Sequence, residues 1–268
     1  MKYSNVIFAA ISIVIFGCTI NANNHEIVSL KEETTPQNKI QEKAEEEPNI
    51  PFEAFAYDYS INSNYRSEHT TFPLLIITNG DTLMEKKENW RSNDLYFGIE
   101  FSCLIYDDSI IHENRSFYNS INENSVNVRY FNPLDSKIRC FNFERQKGKW
   151  SLTTVEIDEL STLSDESFFK FIAKYGFNTS FAKSRILDSA TYTDRDEEDM
   201  SEKTALFNLE NIREQSYLFK KIYLPKTLDC KDRMSLYIKG EGTGYNEKLY
   251  FEKINNEWYL TKEVNLGM

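Results

Sequence analysis

Few of the residue types that do chemistry fall in the patterns that chemistry requires. Gly240-Glu241-Gly242-Thr243-Gly244 is a glycine-rich run. A phosphate loop sets its glycines between a strand and a helix N-terminus, where free amides point at the anion. This run lies between two strand patterns, with no Lys-Ser/Thr after it. A hairpin turn or bulge that uses glycine for positive φ is expected. Asp194-Arg195-Asp196-Glu197-Glu198-Asp199 has the acidity of a calcium loop, but the sixth and twelfth positions hold Asp199 and Ala205 instead of glycine and glutamate. It is expected to be a solvated insertion loop. His69 and His112 stand in no pattern that builds a dry pocket around a general base, so surface positions are expected. Cys103, Cys140 and Cys230 lack C-x-x-C spacing, which leaves no zinc site. A Cys103–Cys140 disulfide and buried free thiols both remain open. No catalytic residue, metal ligand or cofactor is assigned, and the sequence leaves the ligand-binding residues unknown.

Cys18 stands apart. Lys2 precedes a mostly apolar run over residues 6–16, which ends in Ile15-Phe16-Gly17-Cys18. Eleven helical residues rise roughly 16 Å, about half a hydrocarbon core, so the run fits a signal-peptide segment and not a membrane span. A small residue before cysteine at the end of such a segment resembles the lipobox of bacterial lipoproteins. That resemblance implies cleavage before Cys18 and its lipidation, with residues 1–17 as signal peptide. The alternative is ordinary cleavage after Ala22. Several acyl chains at roughly 0.8 kcal/mol per buried methylene would hold the protein on a membrane. Residues 18–49 read as a disordered tether, without aromatics or sustained apolar periodicity. The six residues after Cys18 carry no acid, which favours the periplasmic face of the outer membrane over the cell surface.

Charge narrows the partners. The chain of 268 residues has 31 Lys+Arg against 42 Asp+Glu, a formal charge of −11, the wrong sign for nucleic acid. Residues 31–47 hold a net −3 and residues 188–202 a net −6, so most of the acidity belongs to the tether and one expected loop. With 40% apolar and 14% aromatic residues, the remainder can fill a core.

The chain also repeats itself. Phe52, Phe55, Ala56 and Tyr59 match Phe168, Phe171, Ile172 and Tyr175 at an offset of 116, each set forming one helix face. Asn89-Trp90-Arg91 matches Asn211-Ile212-Arg213 at an offset of 122. Phe143-Glu144-Arg145 and Trp150-Ser151-Leu152-Thr153 match Phe251-Glu252-Lys253 and Trp258-Tyr259-Leu260-Thr261 at an offset of 108. The offsets place an acidic insertion in the second copy and a long polar loop over residues 107–124 in the first. Pro51 should open the first helix; Ser164 should cap the second, with Gly176 just past its end. Strands alternate at Val126, Val128, Tyr130 and at Met234, Leu236, Ile238, and hairpins turn at Lys147-Gly148 and Asn255-Asn256. The expected fold class is α+β: two tandem cone-like domains, residues 50–158 and 159–268, each a long helix packed on a curved antiparallel sheet.

The stretches FFKFIAKYGFNTSFAKSRI and DRMSLYIKGEGTGYNEKLYFEKINNEWYLTKEV resemble a Bacteroidetes lipoprotein family of unknown function with two tandem nuclear-transport-factor-two-like domains. The resemblance covers residues 50–266 and implies the architecture, without chemistry. Asp81-Thr82-Leu83, Asp108-Ser109-Ile110 and Asp188-Ser189-Ala190 resemble the short O-glycosylation motif of Bacteroidetes envelope proteins. Duplication without a repeated acid, base or nucleophile favours a non-catalytic envelope module that binds a protein or a small molecule. The alternative is a small-molecule isomerase or dehydratase acting in one domain's pocket; an inhibitor-like role with a dedicated protein partner is a third reading.

Overall fold

The computed structural model describes residues 49–90, 101–107, 117–163, 166–195, 201–211, 216–225, 228, 232–240 and 244–266, all within one compact unit. Two short helices open each half. Pro51 holds the N-cap position of α1 (Phe52–Ile61) with φ −60°, and α2 (Ser63–Glu68) restarts almost at once. The break is at Asn62, whose backbone is extended and whose side chain accepts from the amides of Asn64 and Tyr65 at 3.0 and 3.1 Å. In the second half Asn178 does the same between α3 (Ser167–Phe177) and α4 (Thr179–Ser184), accepting from the Phe181 amide at 2.9 Å. An asparagine that caps the next helix leaves the previous one. Each expected long helix is therefore two short ones.

Other helix-end expectations also change. Ser164 lies outside the described residues, and Glu166 sits at the N-cap of α3 without a side-chain bond. Gly176 is inside α3, where a Cβ would stand 2.6 Å from Cγ of Phe219. Close approach of that ring, rather than helix termination, demands glycine there.

Seven strands follow in the first half: β1 (Thr70–Thr78), β2 (Asp81–Glu85), β3 (Phe101–Asp107), β4 (Asn119–Asn122), β5 (Ser125–Asn132), β6 (Lys137–Gln146) and β7 (Lys149–Glu159). Six more lie in the second: β8 (Ile186–Arg195), β9 (Glu202–Leu206), β10 (Ile222–Tyr223), β11 (Arg233–Gly240), β12 (Asn246–Ile254) and β13 (Glu257–Asn265). Among the described residues they form one sheet, in the order β2-β1-β7-β6-β5-β10-β3-β11-β12-β13-β8-β9, with β4 also on β5. The order is a palindrome once each strand is exchanged for its counterpart in the other half. The two central strands are traded: β3 pairs with β11 of the second half, and β10 pairs with β5 of the first.

The traded strands run parallel to each other. A two-fold relation that keeps strand direction must lie along the strands, so it turns the sheet over. Burial agrees. Leu104, Tyr130 and Tyr223 belong to the core under α1, whereas their strand neighbours Cys103, Ile105, Phe131 and Ile222 belong to the core under α3. Successive strand residues face opposite ways, so the two cores lie on opposite faces of the sheet.

The halves repeat their contacts closely. Phe52 meets Trp150 at 5.2 Å and 77°; Phe168 meets Trp258 at 4.9 Å and 73°. Phe55–Phe143 and Phe171–Phe251 stand at 5.6 and 5.4 Å, Tyr59–Phe143 and Tyr175–Phe251 both at 5.3 Å. Each half has a bulge at the matching place, where the Thr153 hydroxyl donates to the Asn142 carbonyl and the Thr261 hydroxyl to the Tyr250 carbonyl, both at 3.2 Å. The two expected hairpin turns form, with positive φ at Lys147, Gly148, Asn255 and Asn256.

Both expected insertion loops are partly strand. β4 uses residues 119–122 of the polar stretch, held by the Asn119 amide, which donates to Asn127 and to the Leu224 carbonyl at 3.0 and 3.1 Å. Of the acidic stretch, Asp188–Arg195 belongs to β8, where residues 191–195 pair with β9 and Thr191–Asp194 also with β13; residues 196–200 lie outside the described residues.

Candidate functional site

The inner face of the second half collects polar groups where a core would ordinarily close. Along β12 the inward positions are Glu247, Leu249 and Phe251, all buried. On β13 the bulge shifts the alternation, so that after Trp258 and Leu260 the inward residues are Glu263 and Asn265 instead of Lys262 and Val264. Register sets Glu263 opposite Leu249 and Asn265 opposite Glu247; β8 adds Tyr192 beside Glu263 and Asp194 beside Asn265. From above, α3 contributes Tyr175, one turn beyond Phe171 and in edge contact with Phe251.

These groups are coupled. The Glu263 carboxyl hydrogen-bonds that of Glu247, and its pKa is pushed up to about 9, chiefly by burial and then by the Glu247 charge and that bond. Burial and the neighbouring carboxylate thus favour the protonated form of Glu263, whose proton bridges the two carboxyls. The Tyr245 hydroxyl donates to Oε2 of Glu247. Asn265 donates to Oδ1 of Asp194 at 3.0 Å and to the Tyr192 hydroxyl at 3.5 Å. Burial raises the pKa of the Tyr175 phenol, and the charges of Glu263 and Glu247 raise it further. Burial likewise raises Tyr192, opposed by its bond from Asn265 and aided by Asp194, Glu263 and Glu247. Burial and Glu247 raise Cys103, which faces the same core from β3. A carboxyl pair with one proton can accept a cationic or hydrogen-bond-donating group, or can pass a proton. Among the described residues no set of three or more His, Cys, Asp or Glu is placed to hold a metal ion.

The first half gives a direct contrast. The repeat offsets put Arg139 at the place of Glu247, Val155 at Glu263, Ile157 at Asn265 and Ile76 at Tyr192. Tyr59 matches Tyr175, but its hydroxyl is bound to Thr70 Oγ1 at 2.8 Å, and Thr70 donates in turn to the Arg66 carbonyl at 2.7 Å. Ala182 and Ile186 stand where Arg66 and Thr70 would close the second copy. One interior is sealed, and the other keeps its acids.

The residues singled out from sequence lie elsewhere or nearby. His69 is buried, not on the surface: Nδ1 donates to the Trp150 carbonyl at 2.7 Å and the ring stacks on Tyr65 at 4.0 Å. It sits where β1 meets β7, so its role is to hold that junction. Cys103 and Cys140 are free thiols; burial, then Glu156, lifts Cys140 to about 12. Gly240 ends β11 and donates to the Tyr245 carbonyl at 2.7 Å, while Gly244 has φ +72°, as a strand connection requires. Asp194 joins the Asn265 cluster. Cys18, His112, Cys230, Glu241–Thr243 and Asp196–Asp199 lie outside the described residues. Glu247, Glu263, Tyr192 and Asn265 were not singled out from sequence, and Tyr175 only as part of a helix face. The hydrophobic spacing Trp150, Leu152, Val155, Ile157, carried across by 108, marks positions 258, 260, 263 and 265 as inward and would have found two of them.

Among solved structures, an NTF2-like protein from Bacteroides fragilis is similar over 83% of this chain and 98% of that chain, at 20% identity and a TM-score of 0.63, which shows a shared fold. An NTF2-like protein of unknown function from Shewanella baltica covers 37% of this chain and 88% of its own at 13% identity and a TM-score of 0.26. No curated protein matches. A family model described as a domain of unknown function, DUF4348, matches residues 31–265, and the chain belongs to that family.

Proposed function

We propose that this protein is a lipid-anchored envelope module, tethered through Cys18 on the periplasmic face of the outer membrane, that binds a small molecule or an envelope protein without transforming it. Residues 50–158 and 159–268 act as tandem, interlocked cone-like units of the Bacteroidetes lipoprotein type. The second carries the recognition site, and the first supports it. The single observation behind this is the divergence of the two interiors: the Glu247–Glu263 pair and Asn265 in one, Arg139, Val155 and Ile157 in the other. The favoured ligand group is a hydrogen-bond donor or cation that replaces the shared proton. Photo-crosslinking in native membranes tests it. One species should attach to the wild type and be lost with Glu247→Gln/Glu263→Gln; equal capture by both overturns the assignment. For the anchor, Cys18→Ala should abolish labelling by a fatty-acid probe, and persistent labelling overturns it.

The same pair favours a second reading, acid–base catalysis as an isomerase or dehydratase. Two carboxyls that share a proton, with phenols nearby, are a known way to keep an acid and a base side by side at neutral pH. Deuterium exchange from solvent into a carbonyl probe, lost with Glu263→Gln, would favour that reading over binding.

A further inference from the structure

We infer that the outer face of the second half, on the opposite side of the sheet from Glu247 and Glu263, carries a separate binding site for a small anionic sugar. A groove of about 320 Å³ lies there, lined by Arg233, Tyr250, Phe251, Glu252, Thr261 and Lys262. That volume is at the small end of the range for small-molecule sites. It forms at the β13 bulge, where Thr261 turns its hydroxyl onto the Tyr250 carbonyl.

The internal repeat supplies a control for what the fold itself needs. The first half builds the same bulge, with the same hydrogen bond at 3.2 Å, yet the places of Arg233, Tyr250 and Lys262 are taken by Ser125, Asn142 and Thr154. Phe143 and Glu144 match Phe251 and Glu252, and Thr153 matches Thr261. The structural residues are common to both halves; the cations and the aromatic ring occur in the second alone. Cationic side chains also gather on Tyr250, with Lys248 at 4.7 Å and Lys262 at 5.7 Å from its ring.

The lining specifies the ligand class. Arg233 uses Nε and Nη2 on Oε1 of Glu252, at 3.1 and 3.0 Å, which leaves guanidinium hydrogens directed elsewhere for an oxyanion. Lys262 supplies a second positive charge. Glu252 is an acceptor and would repel a bare anion, but it suits the hydroxyls of a sugar, as Thr261 and Tyr250 do. A carboxylate or phosphate on a hydroxyl-bearing ring satisfies all of them together.

Equilibrium dialysis of the full chain against galacturonate, glucose 6-phosphate and glucose tests this. The first two separate carboxylate from phosphate, and the third removes the charge. At least one charged sugar should be retained, more weakly as sodium chloride rises, with glucose passing freely. Arg233→Ser/Lys262→Thr introduces the residues with which the first half folds, and should weaken retention about tenfold or more, one lost charge-assisted contact being enough for that factor. Glu247→Gln/Glu263→Gln should leave it unchanged, which separates this site from the interior one. Passage of both charged sugars, equal retention of glucose, or undiminished retention by the Arg233/Lys262 variant overturns the proposal. If that double variant loses its native tryptophan fluorescence, Lys262→Thr alone decides by the same criterion.

Discussion

Replacing Glu263 by glutamine isolates the interior proton. Glutamine keeps the shape of the side chain and offers an N–H to Glu247 in place of the carboxylic O–H. In the wild type the folded pKa of Glu263 is about 9, against about 4.5 in the unfolded chain. The folded state therefore binds one more proton than the unfolded state between those values, and stability must fall as pH rises through that window. The slope for one proton is about 1.4 kcal/mol per pH unit, or about 4 kcal/mol from pH 5 to pH 8. Glu263→Gln has no such proton, so the variant should gain on the wild type by about that amount across the same range. Guanidinium unfolding of the chain from Glu45 onward, at pH 5, 6, 7 and 8, measures the difference, and other titrating groups cancel in it. Parallel stability curves for variant and wild type would refute a proton held at Glu263.

Gly176→Ala places a methyl group 2.6 Å from Phe219 Cγ and should destabilise by about 1–3 kcal/mol in the same unfolding assay. Asn62→Ala and Asn178→Ala each remove a helix-capping acceptor, and each should cost about 1 kcal/mol. Similar losses at both would show that the two breaks are equivalent. Cys103 and Cys140 are expected to resist alkylation in the native protein and to react fully in denaturant without reductant, a difference that intact-mass measurement reads directly.

The sequence carried the repeat, the strand faces and the hairpin turns because each depends on local periodicity or local φ. Val126, Val128 and Tyr130 all face one core, and Met234, Leu236 and Ile238 all face the other. The helix break at Asn62 was hidden because the face Phe52, Phe55, Ala56, Tyr59 ends before it, and the restart adds only Tyr65 to that core. Gly176 was misplaced because glycine near a helix end has two explanations, and the second, Phe219, is distant in sequence. The interior site was hidden for a sharper reason. Strand alternation through Trp258 and Leu260 points Lys262 inward and Glu263 outward, and only the extra residue of the bulge reverses this. His69 escaped because a lone polar residue gives no sign of its partner, here a carbonyl 81 residues away.

The exchange of central strands explains how the two halves could diverge. Because the sheet is turned over between them, α1 and α3 cover opposite faces, and a substitution beneath one helix has no contact with the core beneath the other. The first interior can fill with Val155 and Ile157 while the second keeps Glu263 and Asn265. The connection that remains runs through the central strands, whose successive residues serve the two cores in turn: Cys103, Phe131 and Ile222 one, Leu104, Tyr130 and Tyr223 the other. Cys103 also lies within the field of Glu247. The charge at Glu247 thus bears on a residue of a strand that the first half itself contributes. That strand is where coupling between the halves should be sought.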